Sequence, residues 1–569
     1  MIKKWKFKNL PDKENIAQLS GSINVSNTVA TVLLQRGISN FDEAKHYFRP
    51  QLSHLHDPFL MKDMQQAVER INSALAKNQK IMIYGDYDVD GTTSVALVYG
   101  FLKKFYDNLM YYIPDRYLEG YGISTTGIDV AEKEDVSLII ALDCGIRAVD
   151  KVNYAKEKNI DFIICDHHLP AAVIPEAVAV LDPKQSDCNY PYKELSGCGV
   201  GFKLLQALCE TNQWDFNLLL DEIDLLAISI ASDIVHITGE NRVLAFYGLK
   251  KVNERKRPGI NAILEISNLK KDLDITDLVF VIGPRINAAG RIGHATNAVE
   301  MLLATTTEGA LEKAHEINVL NTDRKTIDKS ITDEAVRIIE ADQLLLQRKT
   351  TVMYSENWHK GVVGIVASRL IEKFYRPTIL LAENDGELTG SARSVEGFDV
   401  YQAICECEDL LEKFGGHKQA AGLTIKKENF ELFSTRFEEV VSNSISEELL
   451  TPIIYIDMEI SLDDINLKML NVLNQMSPFG PENMRPMFCT KGVNFKYNPK
   501  VVGENHLKIF IEQEGCNNAF DGIGFNLAHH FQDLLIHDKF DICYVIEINE
   551  WNGNKNIQLN LRDIKFEED

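Results

Sequence analysis

Three apolar runs that each end in an acidic residue constrain the fold of this chain more than any other feature. They read IMIYGD (81–86), LIIALD (138–143) and FIICDHH (162–168). Continuous apolar runs of this length are typical of strands that are buried on both faces of a parallel sheet. Helical stretches separate the runs, which predicts a doubly wound α/β domain. Ligands of such domains bind beyond the carboxyl ends of the strands, so we expect the acidic ends to converge on one crevice.

The length of 569 residues predicts several domains, since a single core rarely grows beyond about 300 residues. A charged helical stretch follows the first α/β pattern, and a second α/β pattern comes after it. Near the end, short strands such as HLKIFIEQ and FDICYVIEI alternate with turn residues, which predicts a small barrel of the OB type. The expected division is a helical N-terminal segment (1–50), a doubly wound parallel-sheet domain (51–305), a long linking helix (306–345), a smaller α/β domain (346–447) and an OB-like β-barrel (448–569).

The net charge of −23 does not favour long contacts with duplex nucleic acid, because phosphate binding requires a positive surface. Acidic residues gathered around metal ions, or a local basic channel, would reconcile this charge with a nucleic-acid substrate. The ten scattered cysteines include no CxxC pair, which predicts free thiols in a reducing compartment. The sequence has neither a secretory leader nor a run of 18 apolar residues, so we expect a cytoplasmic protein without a membrane span.

The first apolar run leads into the segment DYDVDG, which carries Asp86, Asp88 and Asp90. A calcium-binding EF-hand loop is the obvious alternative, but that loop requires a bidentate Glu at its twelfth position, where this chain has Leu97. An EF-hand also follows a helix, whereas this segment follows a predicted strand. Three carboxylates against a buried strand repel one another unless a cation lies between them. The segment therefore predicts a loop that binds hard divalent ions.

Further acidic and imidazole groups follow the other predicted elements. Asp143 ends the second run, and Asp166, His167 and His168 end the third, while Asp233 ends a small apolar helix. Adjacent histidines rarely bind the same ion, so one is expected to be a ligand and the other to face the substrate. Oxygen ligands with one or two imidazoles favour Mn²⁺ or Mg²⁺ over a thiolate zinc site. Two such ions, about 3.5–4 Å apart, can bind both the attacking and the leaving oxygen of a phosphoryl displacement.

These segments appear in a specific order. DYDVDG, LDCGI, DHH and ASD occur in the order seen in the DHH phosphoesterase family, which the chain resembles. The resemblance extends to the family's single-strand-specific exonucleases through FVIGPRINAAGRIG (280–293), SARS (391–394), FGGHKQAAG (414–422) and SPFGPENMRPMF (477–488). It covers almost the whole chain, and the ordered set is far more specific than any single motif.

The resemblance assigns roles to residues of the acidic site. The implied ligands of two divalent cations, Mn²⁺ or Mg²⁺, are Asp88, Asp90, Asp143, His167 and Asp233. Asp86, Asp166 and His168 complete the catalytic set, with Asp86 as a nearby acid and His168 close to the scissile phosphate. The chain departs from the pattern at Tyr84, where some family members have a histidine. Because a phenol is a poor ligand for these ions, one metal is expected to have fewer protein ligands.

The resemblance also implies a substrate-binding set in the later motifs. Its members are Arg285, Asn287, Arg291, Ser391, Arg393, Gly415, Gly416 and His417. Arginines can clamp phosphate oxygens with two hydrogen bonds. The Gly-Gly-His segment is expected to open a loop-to-helix junction, whose exposed N–H groups favour phosphate. The local alternatives remain open: each arginine could serve a structural ion pair, and the glycines could serve only tight packing.

The activity implied by the resemblance is metal-dependent hydrolysis of single-stranded DNA from the 5′ end to 5′-mononucleotides, in DNA repair and recombination. Single-stranded DNA is then the main partner, with a single-strand-binding protein and a RecQ-type helicase as expected protein partners and a monomer as the expected state. Two alternatives remain. One is a phosphodiesterase of short oligonucleotides or cyclic dinucleotides, and the other is a single-strand-binding protein that retains the barrel and has lost the chemistry.

Overall fold

The chain folds into two compact units. The structure is a computed structural model that describes residues 3–384, 386–551 and 554–566. The smaller unit comprises Met1–Lys6 and Val319–Tyr455, and the larger unit comprises Phe7–Asn318 and Ile456–Asp569. Each unit therefore contains segments that are distant in sequence.

A short strand and three helices form the N-terminal segment. Ser26 and Asn40 begin the second and third helices, because their side chains accept hydrogen bonds from backbone N–H groups of the first turn. The elements are β1 (Lys4–Phe7), α1 (Lys13–Ile23), α2 (Asn27–Gln35) and α3 (Phe41–Phe48).

A five-stranded parallel sheet forms the centre of the larger unit, as the apolar runs predict. Its strands are β2 (Lys80–Gly85), β3 (Leu109–Tyr112), β4 (Val136–Leu142), β5 (Asp161–Cys165) and β6 (Ala179–Leu181). Their order is β3-β2-β4-β5-β6, and every neighbouring pair is parallel. The order reverses between β2 and β4, and ligands of doubly wound sheets bind at such a switch point.

Helices cover both faces of this sheet, so successive residues of a strand enter different cores. Ile81 and Ile83 pack in one hydrophobic cluster, while Met82 and Tyr84 pack in another. A π-helix (Leu278–Ile282) precedes the helix Gly283–Ile292. The helices are α4 (Met64–Ala76), α5 (Val89–Leu102), α6 (Thr125–Lys133), α7 (Val149–Glu157), α8 (Gly197–Asn212), α9 (Phe216–Leu220), α10 (Ile223–Ser232), α11 (Gly239–Asn253), α12 (Pro258–Ile266), α13 (Ile275–Asp277), α14 (Gly283–Ile292) and α15 (Thr296–Leu303).

A single helix of 35 residues, α16 (Thr307–Ala341), lies where the sequence predicts a long helix, and the short α17 (Gln343–Gln347) follows it. The smaller unit then forms a five-stranded mixed sheet of order β10-β11-β9-β8-β7, in which only the β7–β8 pair is parallel. Its elements are β7 (Thr351–Ser355), α18 (Val363–Phe374), β8 (Thr378–Asn384), β9 (Glu387–Arg393), α19 (Val400–Cys405), β10 (Leu411–His417), β11 (Ala420–Lys426) and α20 (Phe430–Ser444).

The C-terminal strands form a closed barrel, which confirms the predicted OB-like domain. Closure occurs because the strand Phe488–Val502 pairs with His506–Gln513 on one side and with Phe540–Trp551 on the other. Strand β12 pairs with β1 in a separate two-stranded sheet. The elements are β12 (Ile453–Ile456), β13 (Met458–Glu459), α21 (Leu467–Gln475), β14 (Phe488–Val502), β15 (His506–Gln513), β16 (Ala519–Gly524), α22 (Phe531–Ile536), β17 (Phe540–Trp551) and β18 (Asn554–Phe566).

The N-terminal helices share a hydrophobic core with the barrel. Leu19, Val29 and Leu33 are buried in the same cluster as Leu470 and Phe488. Removal of the barrel would therefore expose apolar surface on α1 and α2. All ten cysteines are free thiols, as expected. Within the described ranges, no helix combines the length and the apolar character that crossing a membrane requires.

Candidate active site

The acidic residues meet at the carboxyl edge of the parallel sheet. Strands β2, β4 and β5 are neighbours, so the groups that follow them lie side by side. The imidazole of His167 is central: its Nε2 lies 3.2 Å from Asp143 Oδ1, 3.6 Å from Asp233 Oδ2 and 3.8 Å from Asp90 Oδ2. Segments far apart in sequence thus bring four predicted ligands into one pocket.

The DYDVDG segment is a tight turn that starts α5. Asp88 is the N-cap of this helix, because its Oδ1 accepts a hydrogen bond of 3.0 Å from the Gly91 N–H. A Cβ atom at Gly91 would lie 2.3 Å from the carbonyl oxygen of Asp86. Only glycine therefore allows the turn to close, and the closure holds Asp86 and Asp88 against the end of β2.

Asp90 is held by the N-terminus of α8. Its Oδ2 accepts a hydrogen bond of 2.6 Å from Gly197 N–H, and its Oδ1 accepts bonds from Cys198 N–H (2.8 Å) and Ser229 Oγ (2.7 Å). A Cβ atom at Gly197 would lie 2.5 Å from Asp143 Cβ. The same helix start therefore fixes one carboxylate and packs directly against a second one.

Backbone strain occurs at two points of the site. Asp143 has φ of 59°, and Ile234, which follows Asp233, has φ of 58°. Asp tolerates this left-handed region, whereas a β-branched residue there is a genuine outlier. Each such residue costs about 1–3 kcal/mol and persists only where the surroundings hold it. Both segments that carry these carboxylates are therefore fixed by their neighbours.

Asp166 orients the second imidazole. Its Oδ1 accepts a hydrogen bond of 2.7 Å from His168 Nδ1, and its Oδ2 accepts one of 2.9 Å from Ile146 N–H. Burial lowers the pKa of His168, but the bond to Asp166 outweighs it and raises that pKa to about 9. Burial also raises the pKa of Asp166, yet the neighbouring imidazole and backbone donors hold it well below its usual range.

The two imidazoles are closer to one carboxylate than expected. His168 Nδ1 lies 4.0 Å from Asp143 Oδ1, the atom that is 3.2 Å from His167 Nε2. The ring of His167 is buried, whereas the side chain of His168 is 45% exposed. Nitrogen atoms of both rings thus lie within 4.0 Å of one carboxylate oxygen, although only one of the two histidines is expected to be a metal ligand.

The charges of this site require a counter-ion. Burial, followed by repulsion from neighbouring carboxylates, raises the pKa of Asp86, Asp143 and Asp233 well above its usual range. Among the predicted site residues, all of which lie in the described ranges, five buried atoms have no hydrogen-bond partner: both carboxylate oxygens of Asp86, Oδ1 of Asp143, and both ring nitrogens of His167. Buried acceptors of this kind are costly unless a cation satisfies them.

Two groups of donor atoms fit such a cation. Asp143, His167 and His168 form one group, and Asp90, His167 and Asp233 form the other, with all donor atoms of each group within 4.8 Å of one another. Carboxylate oxygens with imidazole nitrogens are the ligands that Mn²⁺ and Mg²⁺ sites use. Asp86 and Asp88 lie in neither group, although repulsion links the pKa of each to the neighbouring acids.

Tyr84, the position that departs from the family pattern, does not face the acids. Its hydroxyl donates to the Gly122 carbonyl at 2.9 Å and accepts from the Ser124 N–H at 3.0 Å. The side chain is fully buried in the core on one face of the sheet. The phenol therefore supports the loop after β3, and it offers no ligand.

The predicted residues Arg285, Asn287 and Arg291 lie on α14. This helix contacts the acidic turn, because a Cβ atom at Gly290 would lie 2.4 Å from the Tyr87 carbonyl oxygen. The Arg291 charge acts on Tyr87, in the middle of that turn. Arg285 donates instead to Asn318 Oδ1 (3.1 Å) and Val281 O (2.7 Å). Arg291 is therefore closer to the acidic turn than Arg285 is.

The predicted residues of the smaller unit, except Gly416, lie on one face of its sheet. Ser391 and Arg393 are on β9, and the register places Arg393 and His417 on either side of Ala420. The Gly415–Gly416–His417 segment ends β10 and enters a hairpin, so the predicted loop-to-helix junction is wrong. The period-two pattern of buried Ala421, Leu423 and Ile425 was the overlooked signal.

Three further residues of the site were missed from the sequence. Asp182 follows β6, is fully buried, and has a pKa that burial raises to about 7. The run AVAVLD that it ends repeats the signal that identified the other acids. Tyr121 contacts His168 Nε2 through its hydroxyl at 3.2 Å, and Arg116 lies 4.7 Å above the Tyr87 ring. Both follow β3, where Ile113 and Pro114 separate the strand from its first acid, Asp115, so the signal was less direct than at the other strands.

Three family models match the chain, and they cover separate parts of it. The DHH family N-terminal domain matches residues 80–230, the DHHA1 domain matches residues 347–443, and the RecJ OB domain matches residues 456–563. The first match contains the acidic turn and both histidines, and the second contains the strands β7 to β11.

Curated relatives match over nearly full length. The single-stranded-DNA-specific exonuclease RecJ of Bacillus subtilis is 36% identical over 570 residues, which cover 99% of this chain and 71% of that protein. The protein of the same name from Salmonella typhimurium is 36% identical over 528 residues, which cover 89% of this chain and 90% of that protein.

Solved structures show the same fold. A crystal structure of RecJ from Thermus thermophilus in complex with Mn²⁺ matches with a TM-score of 0.85 and 25% identity, and the match covers 99% of this chain and 79% of that one. A crystal structure of exonuclease RecJ bound to manganese matches with a TM-score of 0.60 and 30% identity, over 69% of this chain and 97% of that one.

Proposed function

Because the chain belongs to the RecJ family of single-stranded-DNA-specific exonucleases, we propose that it hydrolyses single-stranded DNA stepwise from the 5′ end to 5′-mononucleotides. The observation that carries this proposal is the convergence of buried Asp90 and Asp143 and of half-buried Asp233 on His167, whose ring nitrogens have no hydrogen-bond partner among the described residues. Hydrolysis of a phosphodiester places new negative charge on oxygen, and an acidic pocket stabilises such charge only through cations.

The residues that would hold two divalent cations are Asp88, Asp90, Asp143, His167 and Asp233, as the family resemblance implies. When bound, Mn²⁺ or Mg²⁺ supplies Lewis-acid stabilisation of phosphate oxygens and activates water. The chain fixes these ligands before any ion binds, since Asp90 is bonded to the start of α8 and Asp143 is packed against Gly197. Preorganised ligands cost no rearrangement at the moment of reaction.

His168 acts beside the phosphate through its orientation. Asp166 fixes Nδ1 of the ring at 2.7 Å, so Nε2 points towards Tyr121 and the exposed side of the site. A donor there can hydrogen-bond a phosphate oxygen or the departing sugar oxygen. Asp86 completes the set as a buried acid beside Asp88, where it adds negative charge that favours cations.

We infer that two basic surfaces bind the strand. On α14, Arg285, Asn287 and Arg291 lie on the helix that packs against the acidic turn. On the smaller unit, Ser391, Arg393 and His417 border a flat floor of Gly415, Gly422 and Ala420, with Gly416 next to it. Small residues leave room for a sugar–phosphate chain, and guanidinium groups hold phosphate oxygens in pairs.

The barrel favours long single strands over small substrates. Tyr497 pairs with Phe510 across β14 and β15, and Lys500 pairs with Lys508 in the next exposed row. Aromatic rings beside cations are the combination that single-stranded nucleic acids bind. Residues 456–563 match the RecJ OB domain, so the alternative of a phosphodiesterase for short oligonucleotides or cyclic dinucleotides is not favoured.

The protein partners and the cellular setting are part of the proposal. We propose that the chain works as a monomer in the cytoplasm, with a single-strand-binding protein and a RecQ-type helicase as partners in DNA repair and recombination. Such partners would supply the single strand that the enzyme consumes. A pull-down of each partner with the full chain, compared with size-exclusion chromatography of the chain alone, tests this part separately.

Digestion of matched oligonucleotides tests the main proposal. A single-stranded DNA blocked at its 5′ end should resist the enzyme in the presence of Mn²⁺, while the same strand blocked at its 3′ end should be reduced to mononucleotides. A blunt duplex and an RNA strand of the same sequence serve as comparisons. Degradation of the 5′-blocked strand, or equal cutting of the duplex, would contradict the proposed polarity or the strand preference.

A further inference from the structure

The segment that follows Asp233 has an unusual backbone. It runs from the end of α10 to the start of α11 and covers residues 233–238. Ile234 adopts φ of 58° although it is β-branched, and its side chain is 62% exposed. Neither its own conformation nor burial of its side chain stabilises this residue. Something outside the segment must therefore hold it in place.

A loop from the C-terminal part of the chain contacts this segment. The 476–484 loop lies between α21 and the barrel strand β14 and contains most of the motif SPFGPENMRPMF. Ile237 N–H donates a hydrogen bond of 2.8 Å to the Pro481 carbonyl. Gly480 packs directly on the buried Ile237 side chain, since a Cβ atom there would lie 2.5 Å from Ile237 Cγ1.

Arg242 binds the same loop from the next helix. Its guanidinium donates to the carbonyl oxygens of Met476 (2.9 Å), Ser477 (3.1 Å) and Pro478 (3.3 Å), and also to that of Tyr47 (3.0 Å). Arg242 is only 5% exposed, and in the described part of the chain no carboxylate pairs with it. Its charge is therefore satisfied by these carbonyl dipoles and by the Tyr47 ring, whose centroid lies 4.0 Å from the guanidinium carbon, and the fork of bonds specifies the loop conformation closely.

Asn483 braces the loop internally. Its amide donates to the carbonyl oxygens of Met476 (3.0 Å) and Pro478 (2.7 Å), and its Oδ1 accepts from the Tyr47 hydroxyl at 2.6 Å. Gly480 and Asn483 also exchange backbone hydrogen bonds. Bonds within the loop and to Tyr47 thus hold its conformation, so it can fix the segment that it contacts.

We propose that the 476–484 loop is a positioning element for the active site: through Ile237 and Arg242 it holds the strained segment 233–238 and thereby keeps Asp233 beside His167 and Asp90. This inference rests on the proposed function and extends it, because it assigns a role to a motif outside the catalytic domain. Without the contact, Ile234 would relax to an ordinary backbone conformation and Asp233 would turn away from the other ligands.

A purely structural role is the alternative. The same contacts could serve only to attach the barrel and the N-terminal helices to the catalytic domain. Under that alternative, disturbance of the contact would lower the melting temperature without a specific change in metal affinity. The proposal instead requires the affinity for Mn²⁺ to change, since residues that orient a ligand typically alter metal affinity by about 10–100-fold.

The substitution Gly480→Ala is a precise test. The backbone of Gly480 does not adopt a positive φ, so alanine adds one methyl group that must displace Ile237. The double variant Gly480→Ala with Ile237→Ala removes the colliding Cγ1 atom and leaves Ile237 Cβ at the ordinary distance of 3.6 Å. Gly21→Ala is the matched control, because a Cβ atom in that α1 position meets nothing within 4 Å.

Calorimetric titration with Mn²⁺ and exonuclease kinetics should be measured on the full chain, together with metal-free melting temperature. We expect Gly480→Ala to raise the Kd for Mn²⁺ by about tenfold and to lower kcat, with little change in KM for single-stranded DNA. The double variant should recover most of the affinity, and Gly21→Ala should match the wild type. If Gly480→Ala does not fold, Arg242→Lys should show the same loss, since one ammonium group cannot bind several carbonyls in a fork.

An unchanged Kd for Mn²⁺ in Gly480→Ala, with only a lower melting temperature, would overturn the inference, and so would a double variant that recovers no affinity. These results differ from a failure of the proposed function. A wild-type chain that binds Mn²⁺ but does not cut single-stranded DNA would overturn the exonuclease assignment, whereas an active wild type with insensitive variants would overturn only the positioning role.

Discussion

The carboxyl edge of the parallel sheet and the face of the smaller unit's sheet that carries Arg393 differ in charge and in the ligands that suit them. The parallel edge concentrates negative charge in a buried pocket, where Asp86, Asp143 and Asp233 all have a raised pKa. The other face is built from small residues beside Arg393 and His417, and it is exposed at Gly415, His417 and Gly422 and half-buried at Arg393. The first region is suited to cations, and the second is suited to a polyanion.

The difference shows how a chain with a net charge of −23 can act on DNA. Part of the negative charge lies inside the site, where bound cations would reverse its effect on phosphate. Positive side chains are needed only where the strand lies. Substitution of a carboxylate at the acidic edge should therefore slow the chemical step, while substitution of a basic side chain at the flat face should weaken DNA binding. The following experiments test this division.

Asp143→Asn should have the largest effect. It removes a charge at the acidic edge with little change in shape, so kcat should fall by about 10³-fold, which corresponds to about 4 kcal/mol of lost stabilisation. Binding of single-stranded DNA should stay close to that of the wild type. Asp107→Asn is the control, because that side chain is 97% exposed. A variant that cuts at the wild-type rate would remove Asp143 from the site.

Arg393→Ala should give the converse result at the flat face. Loss of a guanidinium that can hold phosphate oxygens should raise KM by about tenfold, which corresponds to about 1.4 kcal/mol of binding free energy. The effect on kcat should be smaller. Arg393→Lys keeps the charge but loses the fork, so we expect an intermediate KM. Steady-state kinetics on one oligonucleotide compare the wild type, Arg393→Ala and Arg393→Lys. If kcat falls alone, Arg393 belongs to the chemical step and the division between the two regions fails.

Two neighbouring glycines of β10 sharpen the comparison further. A Cβ atom at Gly416 would lie 2.4 Å from the Ala420 carbonyl, whereas one at Gly415 would meet nothing within 4 Å. Gly416→Ala should therefore disturb the hairpin and destabilise the protein by about 1–3 kcal/mol. Gly415→Ala should leave the unfolding free energy unchanged, so any loss of DNA affinity in that variant would reveal a direct contact. Equal unfolding of both variants in urea would contradict the packing argument.

The barrel should give the smallest effect. Tyr497 is 63% exposed, and its replacement by alanine should cost about 1 kcal/mol of affinity for a long strand through lost stacking. Affinity for a strand too short to reach the barrel should not change. Phe41→Ala, another exposed aromatic outside the barrel strands, is the control. Equal losses for long and short strands would argue against a stacking surface at Tyr497.

Much of the parallel-sheet domain could be predicted because its signals are local. Each apolar run that ends in an acid gives both a buried strand and the position of its functional group, and Asp182 would have been found by the same reasoning. The strain at Ile234 could not be predicted, since it depends on a loop about 240 residues later in the sequence. The hairpin at Gly415 and Gly416 was misjudged, because paired glycines suit a helix start and a strand turn equally well.

The contacts of the 476–484 loop show the same limit. Nothing in the sequence around Arg242 indicates that its guanidinium binds the carbonyl oxygens of Met476, Ser477 and Pro478. Neutral backbone acceptors have no sequence signature, whereas a carboxylate partner would have one. Long-range contacts of this kind follow from the tertiary structure alone.

Calorimetric titration of the wild type and of Asp143→Asn with Mn²⁺, in the absence of DNA, tests the central claim most directly. We predict that the wild type binds two ions and that Asp143→Asn loses at least one of them. Without metal, the variant should be at least as stable as the wild type, because the substitution removes a carboxylate that its neighbours repel. Binding of Mn²⁺ with the same stoichiometry and affinity in both proteins would contradict the account.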